Sequence, residues 1–199
     1  MKARTGIRAA QYGFTAVAVV ALGYCAAVWA NAKLYQAGQT RQFARELRLK
    51  NNSGVPPEPP LVPAVRAEGD PVGKLEIPRL GVSIMVVEGT EDGDLKRAVS
   101  HIPCTALPVE TSNVGIAGHR DTFFRPLRSI HRHDAITLST LQGAFRYRVV
   151  SIKVVRPEDV QVLHPNGRDT LTLVTCFPFD YVGSAPMRFI GTAERSLEI

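Results

Sequence analysis

The sequence predicts an all-β domain carried behind a single apolar N-terminal helix, and three observations support that reading. From residue 72 onward, short runs rich in Val, Ile, Thr and Tyr recur between Gly, Pro and Asp turns. Only two short stretches there, Asp92–Val99 and Phe123–Ile130, read as helix. No charged residue falls between Arg8 and Lys33. Strands at this density without long intervening helices imply an antiparallel barrel or sandwich rather than a doubly wound sheet.

The apolar run is centred on Phe14–Ala32, with Tyr12, Tyr24 and Trp29 near its margins, and about 20 such residues span a bilayer. A cleaved signal peptide is the rival reading, because Lys2, Arg4 and Arg8 form a basic leader and Ala30-Asn31-Ala32 has the small-x-small form of a cleavage site. The run exceeds the about 7–15 apolar residues of a cleaved leader, which favours a retained anchor. Residues 1–11 are then a cytoplasmic tail, 12–32 the membrane span and 33–71 a connection to the domain at 72–199. Residues 33–50 are good helix formers, Asn51-Asn52-Ser53-Gly54 stops them, and the prolines from Pro56 to Pro71 make a semi-extended spacer.

Composition narrows the function. The 199 residues, 45% apolar and 21% charged, suit one ordinary domain plus an appendage and exclude disordered, collagen-like and multi-pass chains. The formal charge of +6 is uneven: residues 1–50 hold 8 basic side chains against Glu46, and residues 51–199 hold 16 basic against 17 acidic. The positive charge flanks the apolar run and forms no phosphate-tracking patch, so nucleic acid is not an expected partner. Three cysteines, Cys25, Cys104 and Cys176, form neither a disulfide scaffold nor a C-x-x-C metal pair.

The strands are expected at Gly73–Ile77, Val82–Val87, Asn113–Ala117, Ala135–Ser139, Ala144–Val155, Thr170–Thr175 and Met187–Thr192. Three residues at their ends are candidates for chemistry. Cys176 closes the run Thr170–Thr175, just before Phe177-Pro178-Phe179 breaks the β pattern, so its thiol is either a groove nucleophile or a buried apolar side chain. His119 follows the small, apolar Val114-Gly115-Ile116-Ala117-Gly118 and suits a general acid or base, or a plain surface turn. Arg188 interrupts an apolar strand and requires an acceptor, either a developing oxyanion or a carboxylate such as Asp180. Arg120 and Arg125 compete with it for the oxyanion role.

Taken together, Gly118-His119-Arg120-Asp121-Thr122-Phe123-Phe124-Arg125, Thr170-Leu171-Thr172-Leu173-Val174-Thr175-Cys176 and Pro186-Met187-Arg188-Phe189 closely resemble the signature of sortases, most of all class D and the related Gram-negative forms. The resemblance covers about residues 72–192. It implies an eight-stranded sortase-type β-barrel behind a transmembrane helix, with Cys176 as nucleophile, His119 as general acid/base and Arg188 as oxyanion or substrate stabiliser. Thr175, Ala117 and His101 are expected to touch substrate. The implied substrate is a protein with a Leu-Pro-x-Thr-Gly-like sorting signal. The implied acceptor is an amine of a peptidoglycan stem peptide or a pilin lysine, and the implied setting is a single-pass membrane protein with its domain outside the cytoplasm. No metal or cofactor enters the implied reaction.

His101-Ile102-Pro103-Cys104-Thr105 resembles a family segment in which glycine commonly follows the proline. Cys104 is expected to be a small side chain in a turn; redox pairing with Cys176 is the rival reading. His131-Arg132-His133 reads as a solvated turn, since its arginines oppose a cation, and His164 as a loop residue. Two alternatives to transpeptidation remain: an anchored, non-catalytic β-barrel binding module, and a relative that hydrolyses its thioester.

Overall fold

The computed structural model describes residues 2–52, 67–89 and 92–196. Helix α1 runs unbroken through Lys2–Asn52, and Ser53 and Gly54 of the expected stop lie outside the described residues. Every side chain from Gln11 to Asn31 is exposed, so the apolar run has no protein surface to cover it and is long enough to cross a bilayer. The spacer prolines from Pro56 to Pro63 lie outside the described residues.

Strands β1 (Pro71–Ile77), β2 (Val82–Glu88), β3 (Val99–His101), β4 (Asn113–Ala117), β5 (Ala135–Thr140), β6 (Gly143–Val155), β7 (Thr170–Phe177) and β8 (Met187–Arg195) close into one barrel in the order β1-β2-β3-β4-β7-β8-β6-β5. Closure gives every strand a neighbour on both sides among the described residues. The barrel is mixed rather than wholly antiparallel, because β2–β3 and β4–β7 are parallel pairs. A parallel pair requires a crossover, which helix α2 (Asp92–Leu95) supplies for β2–β3 and β5 with β6 for β4–β7. The helix expected over Asp92–Val99 therefore ends early, and Val99 opens β3 against Val86. The helix expected over Phe123–Ile130 is a 3-10 turn at Arg125–Ser129, entered through Pro126, and further 3-10 turns lie at Pro78–Leu80 and Val160–Leu163.

Strand alternation separates the two faces of the wall. Leu75, Ile77, Ile84, Val86, Val114, Ile116, Leu138, Leu171, Leu173 and Phe189 point into a continuous core, each buried side chain of this size contributing about 1.5–3 kcal/mol. Met85 and Val87 lie on the opposite parity of β2, facing outward, yet are fully buried. Their cover is the extension of α1, which packs on β1 and β2. Its inward stripe is Ala32, Tyr35, Gln36, Gln39, Thr40, Phe43 and Leu47, a 3.6-residue period, with Phe43 only 5% exposed. The helical part of the 33–71 connection is thus seated on the barrel.

Candidate active site

One rim of the barrel gathers the candidate residues. Because β3 runs antiparallel to β4 and β7 parallel to it, the ends of β1, β4 and β7 and the starts of β2, β3 and β8 all meet at this rim. Ala117 stands opposite Val174, and Gly118 continues the ladder by donating its N–H to the Val174 carbonyl at 3.1 Å. His119 and Cys176 each follow those partners by two residues on parallel strands. On β7 the core takes Leu171 and Leu173, so Cys176 faces the outer surface; on β4 the core takes Val114 and Ile116, so Ala117, the last residue of β4, shares that outward parity. Across the antiparallel β7–β8 pair, Cys176 stands directly opposite Arg188, a relation that brings Cβ atoms to about 4.5–5.5 Å. The register therefore sets Cys176 and Arg188 side by side on adjacent strands, facing one way, with His119 just past the end of the next strand.

Gly118 is required for this geometry. A Cβ there would stand 2.7 Å from the Phe124 ring and 2.9 Å from Val99. The chain turns at His119 over a buried Phe124, whose N–H returns to the His119 carbonyl at 3.1 Å. After Cys176 the chain leaves the sheet through a cis Phe177–Pro178 bond. The ring of Phe179 packs edge-on against Phe177 and Phe189 at centroid distances of 6.0 and 5.2 Å.

The charges fit the chemistry. Arg188 is half-buried, donates one guanidinium nitrogen to the Ala185 and Met187 carbonyls at 3.2 and 3.0 Å, and has no carboxylate partner among the described residues. Asp180, the acid expected to neutralise it on the structural reading, lies 3.8 Å from Arg128 instead. A positive group held by its own strand and left uncancelled beside a thiol is suited to meet developing negative charge. The His119 imidazole is half-buried and has no side-chain partner among the described residues. Cys176 is a half-exposed free thiol.

The residues expected to touch substrate have the following partners within the fold. Thr175 is buried and donates its hydroxyl to the Gly118 carbonyl at 2.6 Å, tying the end of β7 to the end of β4. Ala117 is half-buried, paired with Ser100 on β3 and Val174 on β7. His101 is buried on the core-facing parity of β3, with Nδ1 2.9 Å from the Glu88 carboxylate and Nε2 3.0 Å from both the Ala106 carbonyl and the Thr105 hydroxyl. Its polar atoms are used inside the barrel wall. Cys104 is exposed and unpaired in the turn after β3, at φ 65°, the left-handed region that suits the glycine expected there.

Arg120 was open as a rival oxyanion partner, and the structure assigns it other work. It is 6% exposed and donates to the carbonyls of Pro178 at 3.1 Å and Gly183 at 2.9 Å, with Tyr181 5.9 Å from its guanidinium carbon. One guanidinium next to His119 thereby holds the loop that joins Cys176 to Arg188. An arginine following a histidine carries no sequence signal for this role; only the return of the β7–β8 loop over β4 creates it.

A closed eight-stranded barrel thus carries a cysteine and an arginine opposite each other on neighbouring strands, with a histidine just past the end of the next strand, at one rim. Residues 75–196 match the Sortase domain family, and the chain belongs to that family. It is 37% identical over 123 residues to Sortase D of Bacillus subtilis, a match covering 61% of this chain and 62% of that protein. It is 32% identical over 123 residues to Sortase SrtE1 of Streptomyces coelicolor, covering 52% and 35% of the two chains. These matches thus span less than two thirds of the relatives' lengths. Among solved structures, a Clostridium perfringens Sortase D5 transpeptidase superposes with a TM-score of 0.67 at 26% identity, covering 81% of this chain and 98% of the other.

Proposed function

We propose that this chain is a membrane-anchored cysteine transpeptidase acting on proteins with a Leu-Pro-x-Thr-Gly-like sorting signal. The observation that carries the reading is the register of Cys176 opposite Arg188, with His119 just past the end of the adjoining strand and none of the three paired to a carboxylate among the described residues. The Cys176 thiolate attacks the threonine carbonyl, and the negative charge gathering on the carbonyl oxygen meets the Arg188 guanidinium. Collapse of the tetrahedral adduct breaks the Thr-Gly bond. His119 gives a proton to the departing glycine amine, leaving a thioester on Cys176. An incoming amine, from a peptidoglycan stem peptide or a protein lysine, then attacks the thioester while His119 accepts its proton. The product is an amide, and the thiolate is regenerated. Helix α1 spans the membrane once and presents the barrel outside the cytoplasm.

Intact-mass analysis of the full chain in detergent micelles, incubated with Leu-Pro-x-Thr-Gly peptides, tests this. A mass increase equal to the acyl half of the peptide, absent in Cys176→Ala and released as an amide on adding glycine peptides, is the expected result. Turnover retained in Cys176→Ala, or no adduct with any peptide on a folded, reduced protein, overturns it.

A further inference from the structure

The rim holds a second feature that this chemistry does not use. An open cleft of about 470 Å³ lies between the Pro78–Leu80 turn, which joins β1 to β2, and the segment Thr122–Ser129 that follows His119. Three of its lining side chains are arginines: Arg79, Arg125 and Arg128. Arg79 is committed, bonding both carboxylate oxygens of Asp134 and the Ser129 carbonyl, and so staples one wall to the other. Arg128 has only a loose contact with exposed Asp180 at 3.8 Å. Arg125 is exposed and has no side-chain partner among the described residues. The cleft therefore keeps positive charge in surplus, in a forked form that suits a carboxylate.

Its position says which reactant carries that carboxylate. The cleft's Thr122 wall begins three residues after His119 and returns its N–H to the His119 carbonyl at 3.4 Å, so the cleft adjoins His119, whereas Arg188 is on β8, directly opposite Cys176. The group that exchanges a proton with His119 is the amine, whereas the acyl oxygen faces Arg188. We propose that the cleft is the docking site of the amine acceptor, and that the preferred acceptor bears a carboxylate close to its nucleophilic amine, bound by Arg125 and Arg128. This rests on the transpeptidase reading above.

The test uses glycine, Gly-Gly and Gly-Gly-Gly, each as free acid and as C-terminal amide, against the acyl-enzyme of the full chain in micelles. Acid should outperform amide, with an acceptor KM about five- to tenfold lower for the best length, as expected of a charge-assisted contact in an open site. The preference should shrink in high salt. It should fall to near unity in an Arg125→Gln, Arg128→Gln double variant and persist in Arg168→Gln, where the changed arginine sits at the opposite end of the barrel beside Glu194. The acid-to-amide ratio is measured within each variant, so it does not depend on that variant's acylation rate. Equal use of acid and amide by the wild type, a ratio unchanged in the double variant, or a carboxylate preference confined to the acylating peptide would overturn the proposal. A parallel NMR titration of the arginine Nε–H resonances with Gly-Gly acid and amide reads the cleft without turnover. Selective shifts of Arg125 and Arg128 by the acid are expected, and their absence counts against the cleft even if no sorting peptide acylates Cys176.

Discussion

Thr175 donates its hydroxyl to the carbonyl of Gly118 at 2.6 Å, a buried bond between the residue before the cysteine and the residue before the histidine. It is a cross-tie between the two strand ends whose separation sets the reach of His119 to Cys176. Thr175→Val preserves shape but leaves the Gly118 carbonyl without that donor, at a cost of about 1–3 kcal/mol. Because reacting groups tolerate little misplacement, kcat should fall about tenfold or more with KM little changed. Thr175→Ser, which restores the hydroxyl, should recover most of kcat. Steady-state kinetics on the three proteins, with thermal melts alongside, checks this.

The sequence was most informative where side-chain period and turn chemistry agree. The place of Cys176 at the end of its strand and the apolar frame of Arg188 are local, but Thr170–Leu173 is buried on both faces, so which way Cys176 points follows only from the pairing of β7 with β4 and β8. Strand β3 escaped because it is three residues long, too short for any period, and exists only through its pairing with Val86 and Ala117. Met85 and Val87 look like an unbroken apolar run; the reason lies in α1, some 40 residues upstream, where the matching stripe is half polar. His101 and Thr175 belong to the right motifs, but what they touch depends on which neighbour folds over them.

Cys104 sits at φ 65° in an exposed turn, a conformation that costs a residue with a side chain about 1 kcal/mol or more and glycine little. Its N-terminal neighbours and Thr105 form the hydrogen-bonded support beneath His101, so relief of the strain should be felt locally. Cys104→Gly should raise stability by about 0.5–1 kcal/mol, offset in part by the greater freedom glycine gives the unfolded chain. Denaturant titration reads the change, and a lower midpoint would contradict it. Cys104→Ala, which keeps the strain, should leave stability near the wild type.

Gln36 fills a gap in the barrel ladder. Its side-chain amide accepts the Met85 N–H at 2.9 Å and donates to the Arg97 carbonyl at 2.6 Å, on the edge of β2 that β3 pairs only from Val86 onward. Phe43, one stripe further along α1, is buried over the same strands. Phe43→Ala should weaken docking of the helix by about 3–5 kcal/mol, the range for truncating a packed aromatic. Gln36→Ala should cost about 1 kcal/mol, the net worth of a hydrogen bond. Amide exchange of the full chain in micelles is the readout. Protection at Met85 should drop in both variants while Leu171 and Leu173, in the core of β7, remain protected.

Asp134 is held by Arg79, which bonds both its oxygens, and by the His131 N–H at 2.8 Å. The Arg79 contact, reinforced by that backbone bond and by opposite charge, outweighs burial and keeps the carboxyl below the usual aspartate range. A carboxylate whose folded value is depressed stabilises the protein above its unfolded value, about 3.9, and that contribution disappears as pH falls through the folded value. The pair fastens the Pro78–Leu80 turn to the segment behind His119, so its loss loosens the catalytic rim before the core. Wild-type Tm should decline as pH drops from about 4 toward 2. Asp134→Asn should start from a lower Tm at neutral pH and show a shallower acid decline, because the linked proton is gone. Parallel acid limbs for the two proteins would mean that some other carboxylate governs acid unfolding and that the Arg79–Asp134 pair contributes little to the rim.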